Sequence, residues 1–184
     1  INGSSAYDEA GSAVALSKDG LTIAVGAPLH DSNGGDSGQV RVFKWDGTVW
    51  QQLGLDLVGS NAGDQFGHAL AVSEDGTTLA VGAIGSDGNG DKSGSTQVYR
   101  WDGLAWNQLG EKLVGRSAGV QFGYSVALSS DGNSIAVGAP DEAGSGHNWD
   151  PVRVFQWHDN EWAQTGNDIL QESNDDRSGF SVSL

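Results

Sequence analysis

A period of 56 residues runs through the whole chain and limits it to architectures built by stacking like units. Val40-Arg41-Val42-Phe43-Lys44-Trp45-Asp46-Gly47 returns as Val98-Tyr99-Arg100-Trp101-Asp102-Gly103 and again as Val152-Arg153-Val154-Phe155-Gln156-Trp157. Trp45, Trp101 and Trp157 keep the phase, as do Trp50, Trp106 and Trp162, and so do Asp19-Gly20, Asp75-Gly76 and Asp131-Gly132. A repeat of this length cannot bury its apolar face alone, so each unit must pack on the next, as in a solenoid, a propeller or an array. The units run over approximately 10–65, 66–121 and 122–177, and 178–184 opens a further one. The chain starts and stops inside the pattern and contains no Met, which reads as a processed chain or the visible part of a longer one.

Each unit holds four short apolar runs broken by turn residues. In the second unit they are Gly67–Ser73, Thr78–Ala83, Thr96–Trp101, and Trp106–Gly110 continued by Leu113–Val114. None is long enough for an ordinary helix, and β-branched and aromatic residues are frequent, so the runs read as strands A to D. Asp75-Gly76 and Asp102-Gly103 are hairpin signals, because Asp-Gly tolerates the positive φ of primed turns. Four antiparallel strands repeated in tandem predict an all-β fold, a β-propeller of four-stranded blades. About three blades are visible in one segment spanning 1–184, an incomplete ring, since propellers close with about four to eight blades. Strand B supports this reading: Ile23, Val25 and Ala27 share one face, while Ala24 and Gly26 leave the other almost bare for a neighbouring blade. The tryptophans beside the C–D turn read as packing between blades.

The net charge of −15 and pI near 4.2 argue against nucleic-acid binding and for cations or basic partners. Absence of Cys removes disulfides and thiol chemistry but leaves the compartment open. No apolar run approaches the ~20 residues of a membrane span. Asn2-Gly3-Ser4 is a short glycosylation sequon.

Phe66-Gly67 and Phe122-Gly123 open strand A, and Gly26-Ala27-Pro28 and Gly138-Ala139-Pro140 close strand B. With this pattern the units resemble the FG-GAP repeats of integrin α-subunit propellers and their microbial and algal relatives. The pattern departs at Gly82-Ala83-Ile84, Ala10-Gly11 and Ser178-Gly179. The resemblance implies a secreted or cell-surface protein in adhesion or assembly. It also implies a calcium loop of the Asp-x-Asp-x-Asp-Gly kind between the two motifs. Here that connection is a bare hairpin with one Asp, at Asp19, Asp75 or Asp131, too few oxygens for the 6–8 that Ca²⁺ takes.

Binding chemistry is expected on the longer B–C and D–A loops, which share one end of an up-and-down blade. The candidate metal ligands are Asp31, Asn33 and Asp36 in the first B–C loop and Asp87, Asn89 and Asp91 in the second, with Ca²⁺ as the candidate ion. The alternative is a polar, turn-rich loop. The third loop, Asp141 to Asp150 with His147 and Asn148, breaks the pattern most and is where a unique site would sit. Asp64, Asp175 and Asp176 add charge on the D–A side. Catalysis has little support, because His30, His68, His147 and His158 share no repeat position. The expectation is a non-enzymatic extracellular or cell-surface module that binds a protein partner through an acidic loop face. Alternatives are a lectin-like carbohydrate-binding propeller, a structural subunit of a larger assembly and, last, a glycoside hydrolase or lyase with two carboxylates converging on a pocket.

Overall fold

Turn residues at fixed offsets cut the chain into strands that lie side by side in sequence order. The structure, a computed structural model, describes residues 1–3, 5–140, 152–170 and 178–184. The described residues form fourteen strands in three antiparallel sheets and no helix. The first sheet holds β1 (Ala13–Leu16), β2 (Thr22–Ala27), β3 (Gln39–Trp45), β4 (Trp50–Gln52) and β5 (Leu57–Val58). The second holds β6 (Phe66–Val72), β7 (Thr78–Ala83), β8 (Ser95–Trp101), β9 (Trp106–Gln108) and β10 (Leu113–Val114). The third holds β11 (Ser125–Leu128), β12 (Ser134–Gly138), β13 (Val152–His158) and β14 (Glu161–Gln164). Each sheet is one blade of a β-propeller whose ring is not closed. Strand D is the one run that breaks: β9 and β10 are separate because Gly110 (φ 73) turns the chain away, and both pair with β8.

The hairpins rest on carboxylates. At the A–B turn the Ser17 hydroxyl donates to Asp19 Oδ1 (2.6 Å) and accepts the Thr22 amide (2.9 Å). Ser73 with Asp75, and Ser129 with Asp131, repeat the arrangement. At the C–D turn Asp46 Oδ1 accepts the amides of Thr48 and Val49 at 2.8 and 2.9 Å. Those amides, Val49 first, hold the Asp46 carboxyl down to about 2. At these Asp-Gly pairs only the glycine takes positive φ, so the aspartate serves by accepting bonds rather than by entering the left-handed region. A turn with positive φ at both central residues occurs in the third unit, at Asp159 (50°) and Asn160 (65°).

The blades meet through a directional seam. In strands A and B each blade turns its larger residues backward, toward the preceding blade, and its small ones forward. Leu79, Val81 and Ala83 of β7 share a core with Ala24 and Val40 of the first blade. Ala80 of the same strand belongs instead to the core with Phe122, Val126, Ile135 and Val137 of the third. Strand A behaves alike: Val126 and Leu128 pack with Ala69 and Ala71. Two fully buried phenylalanines anchor the seams, Phe66 edge-on to Tyr99 and Phe122 edge-on to Phe155.

The glycines of the two motifs touch each other across the seam. A methyl group on Gly26 would stand 2.2 Å from the Gly67 carbonyl oxygen, and one on Gly82 would stand 2.0 Å from that of Gly123. Gly67 and Gly123 also carry φ of 95° and 97°, at the point where strand A bulges between Phe66 and Ala69 in the second blade. At the outer edge Trp101 and Trp106 form a tilted pair at 5.5 Å over Gly54, and Trp106 Nε1 donates to the Leu53 carbonyl at 3.0 Å. Trp157 and Trp162 repeat this on Gly110 and the Leu109 carbonyl, at 5.3 and 2.8 Å. Trp101, Trp106, Trp157 and Trp162 are thus seam residues, as their spacing suggested.

Gly82→Ala, which forces backbone against backbone, is expected to cost about 3 kcal/mol or more in urea unfolding, or to abolish the fold. Acidification tests the turns. A carboxyl lowered in the fold adds stability above its unfolded value of about 4, and this is lost as pH falls toward its folded value. Asp46, held to about 2, and Asp19, Asp102 and Asp131, all lowered by hydrogen bonds, place the loss between about pH 4 and about pH 2. Urea melts across that window are expected to show stability falling with pH, by a modest amount because these carboxylates are exposed.

Candidate interaction face

The B–C loops are short of apolar residues and rich in glycine, so they cannot form a core of their own; the D–A loop that follows each blade holds them in place. Asn33 Nδ2 donates to the Gly59 carbonyl (2.7 Å), the Gly63 amide to the Gly35 carbonyl (2.9 Å) and the Gln65 amide to the Asp36 carbonyl (3.0 Å). One period later Asn89 Nδ2 donates to Gly115 (2.8 Å), Gly119 to Asp91 (2.9 Å) and Gln121 to Lys92 (3.2 Å). Each loop is also closed on itself. Asp31 Oδ1 accepts the Asp36 amide and Asp87 Oδ1 the Lys92 amide, both at 2.9 Å. Ser37 and Ser93 hydroxyls accept the amides of Asn33 and Asn89.

The six candidate ligands are all exposed and lie in two separate loops. Asp31 and Asp87 each spend an oxygen on a loop amide, and Asn33 and Asn89 spend their amides on clipping the loops together. Among the described residues, no hydrogen bond or ion pair engages the carboxylates of Asp36 and Asp91. Among the described residues no group of three or more His, Asp or Glu is placed to hold a metal ion. Asp64 does not add to the outer charge: it is 5% exposed, and its Oδ2 accepts the amides of Ser60 and Asn61. The third B–C loop, with Asp141, His147, Asn148 and Asp150, and the segment with Asp175 and Asp176 lie outside the described residues.

The described histidines do not converge. His30 Nδ1 accepts the Ser32 amide (3.1 Å), and its Nε2 lies 3.8 Å from Asp8 Oδ2. His158 is exposed beside Asp159. His68 lies against Tyr124 at 5.0 Å, and Tyr124 against Phe180 at 5.0 Å. Burial lowers the His68 pKa, opposed by Glu9. This ring row was missed in the sequence, although its signal was there: His68, Tyr124 and Phe180 occupy one repeat position, directly after the seam glycine. Arg153 was missed too; its guanidinium lies 4.0 Å over the Phe122 ring and donates to the Val114 carbonyl.

Two hollows lie between the blades. One of about 470 Å³ lies at the inner hairpins, between Leu16, Val72, Leu128 and Leu184, with the Lys18–Glu74 ion pair at its rim. The other, of about 320 Å³, lies between the second and third blades above Arg153, Phe155 and Trp162. Asn89→Ala, which removes one clip, is expected to lower stability by about 1 kcal/mol in denaturant melts. Adding Ca²⁺ or a chelator is expected to leave the melting temperature unchanged; a rise with Ca²⁺ would restore the Asp87-Asn89-Asp91 loop as a metal site.

Comparison with known proteins agrees with this geometry. The family model described as FG-GAP repeat matches residues 2–43 and 58–99. No curated protein matches the chain. Among solved structures, Sqt1 of Saccharomyces cerevisiae is similar with a TM-score of 0.51 at 13% identity, over 86% of this chain and 35% of that one. The periplasmic gluconolactonase PpgL of Pseudomonas aeruginosa gives 0.49 at 18%, over 85% and 45%. The β-propeller domain of the Trilobed protease of Pyrococcus furiosus gives 0.47 at 13%, over 84% and 42%. At such identities the likeness concerns the fold alone, and this chain spans less than half the length of each. The chain thus carries FG-GAP repeats over residues 2–43 and 58–99, and its described residues form three blades of a β-propeller whose ring is not closed.

Proposed function

We propose that the chain is a non-enzymatic interaction module, outside the cell or at its surface, that receives a basic protein partner on its acidic loop face. One observation carries this reading. The B–C loops are locked onto the D–A loops by the same bonds in successive units, and they hold exposed carboxylates at Asp31, Asp36, Asp87 and Asp91. A rigid platform of one charge sign attracts a partner of the opposite sign and limits the ordering entropy that binding costs. The net charge of −15 favours the same class of partner over nucleic acid. The packing of Trp101, Trp106, Trp157 and Trp162 into seams weighs against a lectin that would stack sugars on them. Among the described residues no helix is long and apolar enough to cross a membrane.

The test is binding to immobilised basic and acidic peptides at increasing salt. Binding to the basic set alone is expected, weakening as ionic strength rises, and reduced several-fold in the double variant Asp36→Asn/Asp91→Asn. Equal retention on acidic peptides, or binding only to a glycan array, would remove this reading.

A further inference from the structure

The D–A loops repeat closely, and the first unit departs from the others at one spot. Residues 5–9 correspond to 61–65 and 117–121. Asp8 serves as Asp64 does: it is 6% exposed, and its Oδ2 accepts the Ser5 amide at 2.8 Å. The residues on either side of it change. Tyr7 stands where the other units have Gly63 and Gly119, and Glu9 where they have Gln65 and Gln121. The neighbouring B–C loop departs too, with His30 for Ser86 and Ser32 for Gly88. These changes gather in one place, because His30 Nε2 lies 3.8 Å from Asp8 Oδ2 while its Nδ1 lies 2.8 Å from the Ser32 hydroxyl.

Tyr7 is the departure that strains the fold. Its φ of 72° lies in the left-handed region, which Gly63 (80°) and Gly119 (82°) occupy without a side chain to oppose it. The ring gives no core contact in return, since it is 93% exposed. That opening does not depend on what precedes residue 1. Gly63 has a complete blade before it, yet it is exposed and a methyl group on it would meet nothing within 4 Å. A side chain at this repeat position therefore points to solvent even in a finished seam. The backbone that carries Tyr7 is fixed by the Asp8 bond, by the Ser12 amide on the Glu9 carbonyl (3.0 Å) and by the Gly11 amide on the Gly26 carbonyl (2.8 Å). Strain kept at an exposed point of a rigid turn is the mark of a binding residue rather than a packing one. A tyrosine there offers a large flat contact at little cost in side-chain entropy.

We propose that Tyr7 is the anchor of the acidic loop face and receives an arginine side chain of the partner. This rests on the reading of that face as the site of a basic protein. The ring presents its face to the guanidinium plane. Glu9, two residues on, and Asp31, next to His30, are exposed carboxylates that can accept the N–H groups at the guanidinium edge. Arginine can stack on a ring and fork onto a carboxylate at once, whereas the lysine ammonium is a point charge held by its water, so the site favours arginine.

The test titrates two peptides of equal length, one alternating Gly and Arg and the other Gly and Lys, into the wild-type chain, Tyr7→Gly and Tyr7→Phe, with a thermal melt of each protein. The arginine peptide is expected to bind the wild type about 3- to 5-fold more tightly than the lysine peptide. Tyr7→Gly is expected to lose that advantage, and Tyr7→Phe, which keeps the ring face, to retain it. Because glycine takes the left-handed φ freely, Tyr7→Gly should melt no lower than wild type. A lower melting temperature would make Tyr7 a structural residue, and an arginine preference that survives in Tyr7→Gly would put the guanidinium elsewhere; either result overturns the proposal. If the wild type binds both peptides equally, the anchor fails while the acidic face stands. If it binds neither, the reading of the face fails and the anchor falls with it.

Discussion

Backbone contact between glycines is what the rest of the structure depends on. Gly26 meets Gly67, and Gly82 meets Gly123, at distances that leave no room for a β-carbon. Once the inner strands of two blades are that close, Leu79 and Val81 reach the core around Ala24, and Phe66 can fill the space behind the glycine. A wider seam would expose those residues and lengthen the bonds that hold the loops. The two short motifs of the repeat are therefore a single contact, with one half on each blade.

Much of this was legible in the sequence because the period supplies an internal comparison. The strands, their order, the bare face of Ala24 and Gly26 and the packing role of the tryptophans all follow from residues that recur every 56 positions. What repetition could not convey was direction. Nothing in a list of apolar residues says that Val126 faces backward and Ala127 forward, because the pleat alternates sides without naming them. The two pieces of strand D, on either side of Gly110, were visible as spacing, but that both return to pair with β8 was not. Asp64 looked like surface charge and is instead buried, because two amides in its own turn satisfy it.

The candidate face was less legible than the fold for a physical reason. Asp and Asn serve both as ligands and as turn formers, and spacing alone does not separate the two uses. In the two described B–C loops the turn use is plain: Asp31, Asn33, Asp87 and Asn89 hold backbone groups. Asp36 and Asp91 are left to face outward. Positions that differ between units, such as Ser12, His68 and Tyr124, carry what individuality the chain has. They sit beside the invariant seam glycine, where a change of side chain leaves the blade contact intact.

The inner hairpins add a mechanical property. The Lys18 amide donates to the Glu74 carbonyl (3.1 Å), and the Glu74 amide donates to the Ser130 carbonyl (3.0 Å), so residues one period apart are joined main chain to main chain. These links run around the axis rather than along the strands. A tangential load on one blade therefore passes to the next through peptide groups, with little demand on side chains. Hoop tension is carried at the hub, and the outer rim, where strand D is short and broken, is free to change without loosening the wheel.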